Sequence, residues 1–181
     1  ASVEGRAYRD DVANAMTLDS SGNVIIAGSS MGDGGKQDYA TVKFDPSGRQ
    51  AWVARFGSPQ GDDAPAAVVA DAEGNVVVSG MWDHMSDFAV WSQLGTVKYN
   101  RDGREIWGAV RALGTYASPA RMDFDAGGDL WIAGTVGYYE QGESDYFWNC
   151  KPFVIKYEPD GDELWAVEVG PWDGRASVVG L

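Results

Sequence analysis

The chain has 181 residues, enough for a sizeable core, and 44% of them are hydrophobic, which excludes a disordered chain. The formal net charge of −13 argues against nucleic acid and anionic membranes as partners, because phosphate binding needs a basic surface. The one cysteine, Cys150, excludes an intramolecular disulfide and a cysteine zinc cluster.

From its start the chain reads as short strands. Residues 1–20 are polar, without an apolar signal core. No stretch of about 18 apolar residues follows, so no membrane insertion is expected. Residues 11–28 (DVANAMTLDSSGNVIIAG) return as residues 63–80 (DAPAAVVADAEGNVVVSG) and as residues 117–134 (ASPARMDFDAGGDLWIAG). Each copy predicts a small-residue strand, an Asp-x-x-Gly turn, and a strand apolar on both faces, which belongs in the centre of a buried sheet. A second block follows each first one. It reads ATVKFDPSGRQAW at 40–52, GTVKYNRDGREIW at 95–107 and FVIKYEPDGDELW at 153–165. Its glycines, Gly48, Gly103 and Gly161, are spaced by 55 and 58 residues, the spacing of stacked repeats.

The prediction is therefore all-β, with about three complete four-stranded antiparallel β-propeller blades at roughly 10–57, 62–111 and 116–170. Partial blade strands are expected at 1–9 and 171–181. Ala1–Gly5 resembles Ala166–Gly170, and Arg175–Leu181 resembles Val12–Leu18. Three blades do not close a ring, so the reading is a segment of a longer chain, or an assembly in which other copies cover open strand edges.

The segments YEPDGDELW, FDPSGRQAW and DSSGNVIIAG resemble the bacterial β-propeller repeats often called SBBP repeats, across nearly the whole chain. That resemblance implies an extracellular or cell-envelope protein, many such proteins having no assigned activity.

Repeated residues read as architecture. Trp52, Trp107 and Trp165 are expected to pack blade on blade. Lys43, Lys98 and Lys156, each inside an apolar strand, suggest a structural pairing with a turn aspartate of a neighbouring strand. The turn residues Asp19, Asp71, Asp125, Asp45, Asn100 and Glu158 serve backbone geometry. No turn carries the D-x-[DN]-x-[DN]-G calcium pattern; residues 158–163 come nearest, so no cofactor is expected and calcium has only this partial motif.

The variable face differs. After a common Asp-aromatic pair (Asp38-Tyr39, Asp87-Phe88, Asp145-Tyr146), repeats two and three carry six more residues each. Insertions of equal length would place Trp91 and Trp148 on neighbouring loops. Candidate ligand-binding or interface residues are Trp82, His84, Trp91, Tyr138, Tyr139, Tyr146 and Trp148. They fit local packing, a protein contact, or a glycan platform flanked by Asp83, Asp87, Glu140 and Asn149. His84 is the only histidine, so a multi-histidine metal site is excluded, and no serine stands in a nucleophile elbow. Asp10, Asp11, Asp62, Asp63 and Asp173 share one predicted face, where carboxylates near an axis could support a hydrolase or lyase. The leading expectation is a non-enzymatic structural or interaction module with protein partners or self-association; the alternative is a lectin-like module.

Overall fold

The computed structural model describes residues 11–32, 34–86, 89–141 and 146–169. They form three four-stranded antiparallel sheets, with no helix among the described residues. Sheet 1 holds β1 (Val12–Leu18), β2 (Val24–Met31), β3 (Gln37–Phe44) and β4 (Gln50–Phe56). Sheet 2 holds β5 (Ala64–Ala70), β6 (Val76–Ser86), β7 (Ala89–Tyr99) and β8 (Glu105–Arg111). Sheet 3 holds β9 (Tyr116–Phe124), β10 (Leu130–Gln141), β11 (Tyr146–Tyr157) and β12 (Glu163–Glu168). Each sheet is a meander in which strands pair only with their chain neighbours. The partial strands expected at 1–9 and 171–181 lie outside the described residues.

Local chemistry sets the turns. In five of the six turns following first and third strands the Asp or Asn that opens the turn accepts backbone N–H bonds from the residues ahead; in the sixth, opened by Glu158, Asp160 accepts the Asp162 amide at 3.3 Å. Asp19 holds Ser21 and Asn23, Asp45 holds Ser47 and Arg49, and Asn100 holds Asp102 and Arg104. Asp71 holds Asn75, and Asp125 holds Gly127 and Asp129. Glycine closes each turn at φ between +77° and +97°, a region costly for other residues. A second glycine set, Gly28, Gly80 and Gly134, sits opposite a bulge in the first strand of each sheet. A Cβ there would strike the carbonyl oxygen of Val12, Ala64 or Ser118.

The sheets stack face to face. Ile25, Ala27 and Tyr39 of sheet 1 meet Val76, Val78, Val97 and Tyr99 of sheet 2, with Trp52, Ala54 and Phe56 closing the junction. On its other face sheet 2 gives Val77 and Leu94, with Trp107 and Ala109, to Leu130, Ile132, Ile155 and Tyr157 of sheet 3. Trp52 Nε1 donates to the Arg101 carbonyl at 2.9 Å, and Trp107 Nε1 donates to the Pro159 carbonyl at 3.1 Å. The sequence expectation of tryptophans packing one repeat on the next is met at both junctions, with Trp as the third residue of its strand.

The repeated lysines also find the expected partners. Lys43 Nζ lies 2.8 Å from Asp19, Lys98 3.5 Å from Asp71, and Lys156 3.0 Å from Asp125 and 2.7 Å from Asp129. Lys43 and Lys98 are only 5% and 6% exposed, because the next sheet covers them. Their ammonium groups reach across it, to the carbonyls of Gly74 and Pro159. Burial alone would raise the Asp19 carboxyl. Bonds from Lys43, the Asn23 side chain and two backbone amides outweigh it and bring the group down to about 2.

Removing one partner of a buried pair strands the other charge, a loss of about 3–5 kcal/mol. Lys43→Met is therefore expected to lower stability by about that amount in urea melts, and Lys98→Met similarly. Lys156→Met, on the uncovered side of sheet 3, should cost clearly less. Equal losses at all three positions would contradict the role given to burial.

Candidate functional site

The variable end of the molecule is built by hairpins. Beyond the pair Gly80↔Gly95, β6 and β7 run on from Met81↔Leu94 to Ser86↔Ala89. Beyond Gly134↔Phe153, β10 and β11 run on from Thr135↔Pro152 to Gln141↔Tyr146. In sheet 1 the same hairpin stops at Met31↔Gln37. The inserted residues are thus strand extensions, where the sequence suggested loops. Nor are they equal in length. Between the matched pairs lie residues 29–39, 81–94 and 135–152, which are 11, 14 and 18 residues. The Asp-aromatic pair is not a structural equivalence either. Tyr39 faces Ser29, whereas the matching positions are Leu94 facing Met81 and Pro152 facing Thr135.

Register separates the candidate aromatics into two places. His84 pairs Trp91, two steps beyond Trp82↔Gln93, at register positions on the side of sheet 2 toward sheet 1. Tyr139 pairs Trp148 and Gln141 pairs Tyr146, at register positions on the side of sheet 3 away from sheet 2. Trp91 and Trp148 therefore stand in different hairpins, on β7 of sheet 2 and β11 of sheet 3. The side chains of His84, Trp91, Tyr139, Tyr146 and Trp148, and all of Asp87, lie outside the described part of the structure.

Two candidates are described in full, and both are engaged. Trp82 packs on Phe56 with ring centroids 4.6 Å apart and crowds Gly95, so it fills the junction between sheets 1 and 2. Tyr138 packs against the core shared by sheets 2 and 3, donates to Glu168 and lies under the Lys151 ammonium at 5.1 Å. Burial, with the Glu168 carboxylate beside it, pushes the Tyr138 phenol up to about 12.

Of the aspartates read as an axial set, Asp10 and Asp173 lie outside the described residues. Asp62 accepts from the Gln37 amide at 2.9 Å and stands 4.0 Å from Lys36. Asp63 is fully buried. Its carboxylate accepts the amides of Ser58 and Asp83, its own N–H donates to the Gln37 carbonyl, and its carbonyl accepts the Ser29 hydroxyl. The side chain thus ties the β4–β5 connection to sheet 2, and the backbone of the same residue ties it to sheet 1. Burial pushes this carboxyl up to about 6, against those two amide bonds and with Asp38 and Asp83 adding repulsion. Both oxygens are committed to backbone, which gives Asp63 a structural task. At the next junction Ala117 holds the corresponding place, also fully buried.

Two further features complete the described surface, a cleft that was not legible in the sequence and the acidic turn at 158–163 that was noted there. A cleft of about 320 Å³ opens between sheets 2 and 3, floored by Leu113, Phe153 and Ile155 and edged by Arg111 and Glu168. It exists because Arg111 and Val136 occupy the positions that Phe56 and Trp82 fill at the first junction. Arg111 is tied to Glu163 at 3.1 Å. In the last turn Glu158, Asp160 and Asp162 each bring one carboxylate oxygen within 4.8 Å of the others. This is the only such acidic group among the described residues, and exposed acids commonly gather without a metal.

No protein-family model matches the chain, and no curated protein matches it.

The Asp63 carboxyl sits near 6 when folded against 3.8 when free, so its protonated form favours the fold. That contribution is full below about 3.8 and is lost as pH rises through about 6. Calorimetry between pH 7 and 5 should show the wild type gaining melting temperature relative to Asp63→Asn, whatever the variant's absolute stability. Parallel profiles would remove Asp63 as the source.

Proposed function

We propose that the three sheets are β-propeller blades and that the chain is a non-enzymatic structural and interaction module of the cell surface or envelope. The observation that carries this reading is the division of labour along each sheet. The residues that recur are spent mainly on cohesion: turn aspartates on turns, lysines on those aspartates, and Trp52 and Trp107 on the neighbouring sheet. What varies is gathered at the hairpin ends of sheets 2 and 3, the end of a repeat stack where binding is usually added. The aromatic content there, His84, Trp91, Tyr139, Tyr146 and Trp148, suits a protein contact, since such side chains supply area with few rotatable bonds. Placement outside the cytoplasm rests on the resemblance to SBBP repeats and accords with the formal net charge of −13. The committed oxygens of Asp62 and Asp63 favour this reading over a hydrolase or lyase.

The double variant Trp91→Ala/Trp148→Ala tests it. The expected result is a melting temperature within about 2 °C of wild type, less than the shift that a loss of 1 kcal/mol produces in a chain this size, with lost retention on isolated bacterial envelopes. A drop of about 5 °C or more would reduce these residues to local packing. Saturable binding of a neutral oligosaccharide, abolished in the same variant, would move the assignment to the lectin-like class.

A further inference from the structure

The two outer faces of the stack carry the two halves of one junction, and we propose that a second copy of this chain docks on them head to tail, sheet 3 of one copy against sheet 1 of the other. The inference rests on the two internal junctions and is independent of the role given to the hairpin ends.

Both internal junctions follow one template. The donor half is a tryptophan in the fourth strand. Its ring lies on the turn glycine of the next sheet and beside the aromatic residue that ends the third strand there. Trp52 sits 6.1 Å from Tyr99, and Trp107 sits 5.9 Å from Tyr157, centroid to centroid. A Cβ on Gly103 would come within 2.7 Å of the Trp52 indole, and one on Gly161 within 2.7 Å of the Trp107 indole. Each indole N–H is taken by the carbonyl two residues before that glycine.

Sheet 3 presents a complete donor half that no described residue of another sheet covers. Trp165 stands where Trp52 and Trp107 stand and is 41% exposed, with Val167 and Val169 beside it at 48% and 49%. The matching Ala54, Phe56 and Ala109 are packed against the next sheet. Trp131, in the place of Ile25 and Val77, meets Trp165 edge-on at 5.3 Å and widens the apolar surface.

Sheet 1 presents a complete receiving half. Gly48 has the same positive φ, +82°, but among the described residues no atom lies within 4 Å of its Cβ position, unlike Gly103 and Gly161. The residue ending β3 is Phe44, in the position of Tyr99 and Tyr157, and the carbonyl two before the glycine is that of Pro46. Ile26 and Val42 line an open groove of about 280 Å³. Ile26 is half-buried and Val42 is 7% exposed, whereas their counterparts Val78, Val97, Ile132 and Ile155 are fully buried. On β1, Met16 and Leu18 are 63% and 58% exposed, whereas Val68, Ala70, Met122 and Phe124 at the same positions pack into the two cores.

Docking places Trp165 on Gly48 and Phe44 of the second copy, with its N–H on the Pro46 carbonyl. The two faces are different, so the contact is heterologous and each copy offers one of each. Two copies joined twice would arrange six sheets about an axis, inside the range of about four to eight found in closed propellers.

Light scattering on the 181-residue chain across a dilution series is the test. The expected mass is twice 19.4 kDa. Trp165→Ala should weaken association at least about 30-fold, the effect of losing one interface anchor, and Phe44→Asp should do the same from the other side. Mixing the two variants should restore a pair through the one intact junction, which neither forms alone. Both residues lie on outer faces, so far-UV circular dichroism should stay wild type. Independently of any variant, tryptophan emission of the wild type should shift to the blue with rising concentration, in step with mass. A monomer at every concentration, or a dimer indifferent to Trp165→Ala, would overturn the proposal, and masses growing beyond two copies would overturn the closed pair.

Discussion

The contact between a fourth-strand tryptophan and the turn of the next sheet is what the stack depends on. It joins two constraints in one glycine. Gly103 must adopt a φ of +84°, which favours glycine by itself, and it must also lie flat under the Trp52 ring. Gly161 meets both demands under Trp107. The turn that ends a hairpin is therefore also the seat of the neighbouring sheet. Local geometry and intersheet packing cannot vary separately there.

Around that seat the protein spends charge in an unusual place. A lysine inside each third strand would be costly in an apolar core without a partner. The turn aspartate supplies it, already fixed by its own backbone bonds, so little further ordering is needed when the pair forms. The next sheet then excludes water from the pair and offers a carbonyl to the ammonium. Turn, strand and neighbouring sheet form one polar chain through an apolar stack. Its energetic worth against a hydrophobic alternative is modest, but breaking it halfway is expensive, which favours a single register between sheets.

The repeats made much of this legible. Twice-returning blocks announced four strands per unit, and Lys43, Lys98 and Lys156 announced a pairing because no repeated lysine survives in an apolar strand without one. The hairpin extensions were harder to see. Met81–Ser86 mixes Trp, Asp, His and Ser, a composition that reads as loop, yet the ladder continues because partner strand residues are in reach. Aligning Asp-aromatic pairs then misjudged the offset, since Tyr39 matches Leu94 and Pro152 in register. Gly28, Gly80 and Gly134 recur in the sequence as plainly as any residue, but the bulge that requires them is visible only once strands are paired. Asp63 could not be told from Asp62 or Asp11 by type or spacing. Only burial under two sheets separates it from its neighbours.

The meander connectivity also bears on how such a chain is made. Every ladder among the described residues joins consecutive strands, so none of these pairings waits for a distant segment. During synthesis each sheet can close as soon as its own residues leave the ribosome, and the contacts that follow reach back only one sheet. The nascent chain then always ends in a freshly formed sheet with one bare indole, as Trp52 would be before residues 95–107 emerge. That indole is covered only when the next turn glycine arrives. Translation thus proceeds by repeated exposure and capture of a single side chain, and the growing molecule never shows more than one such face at its advancing end.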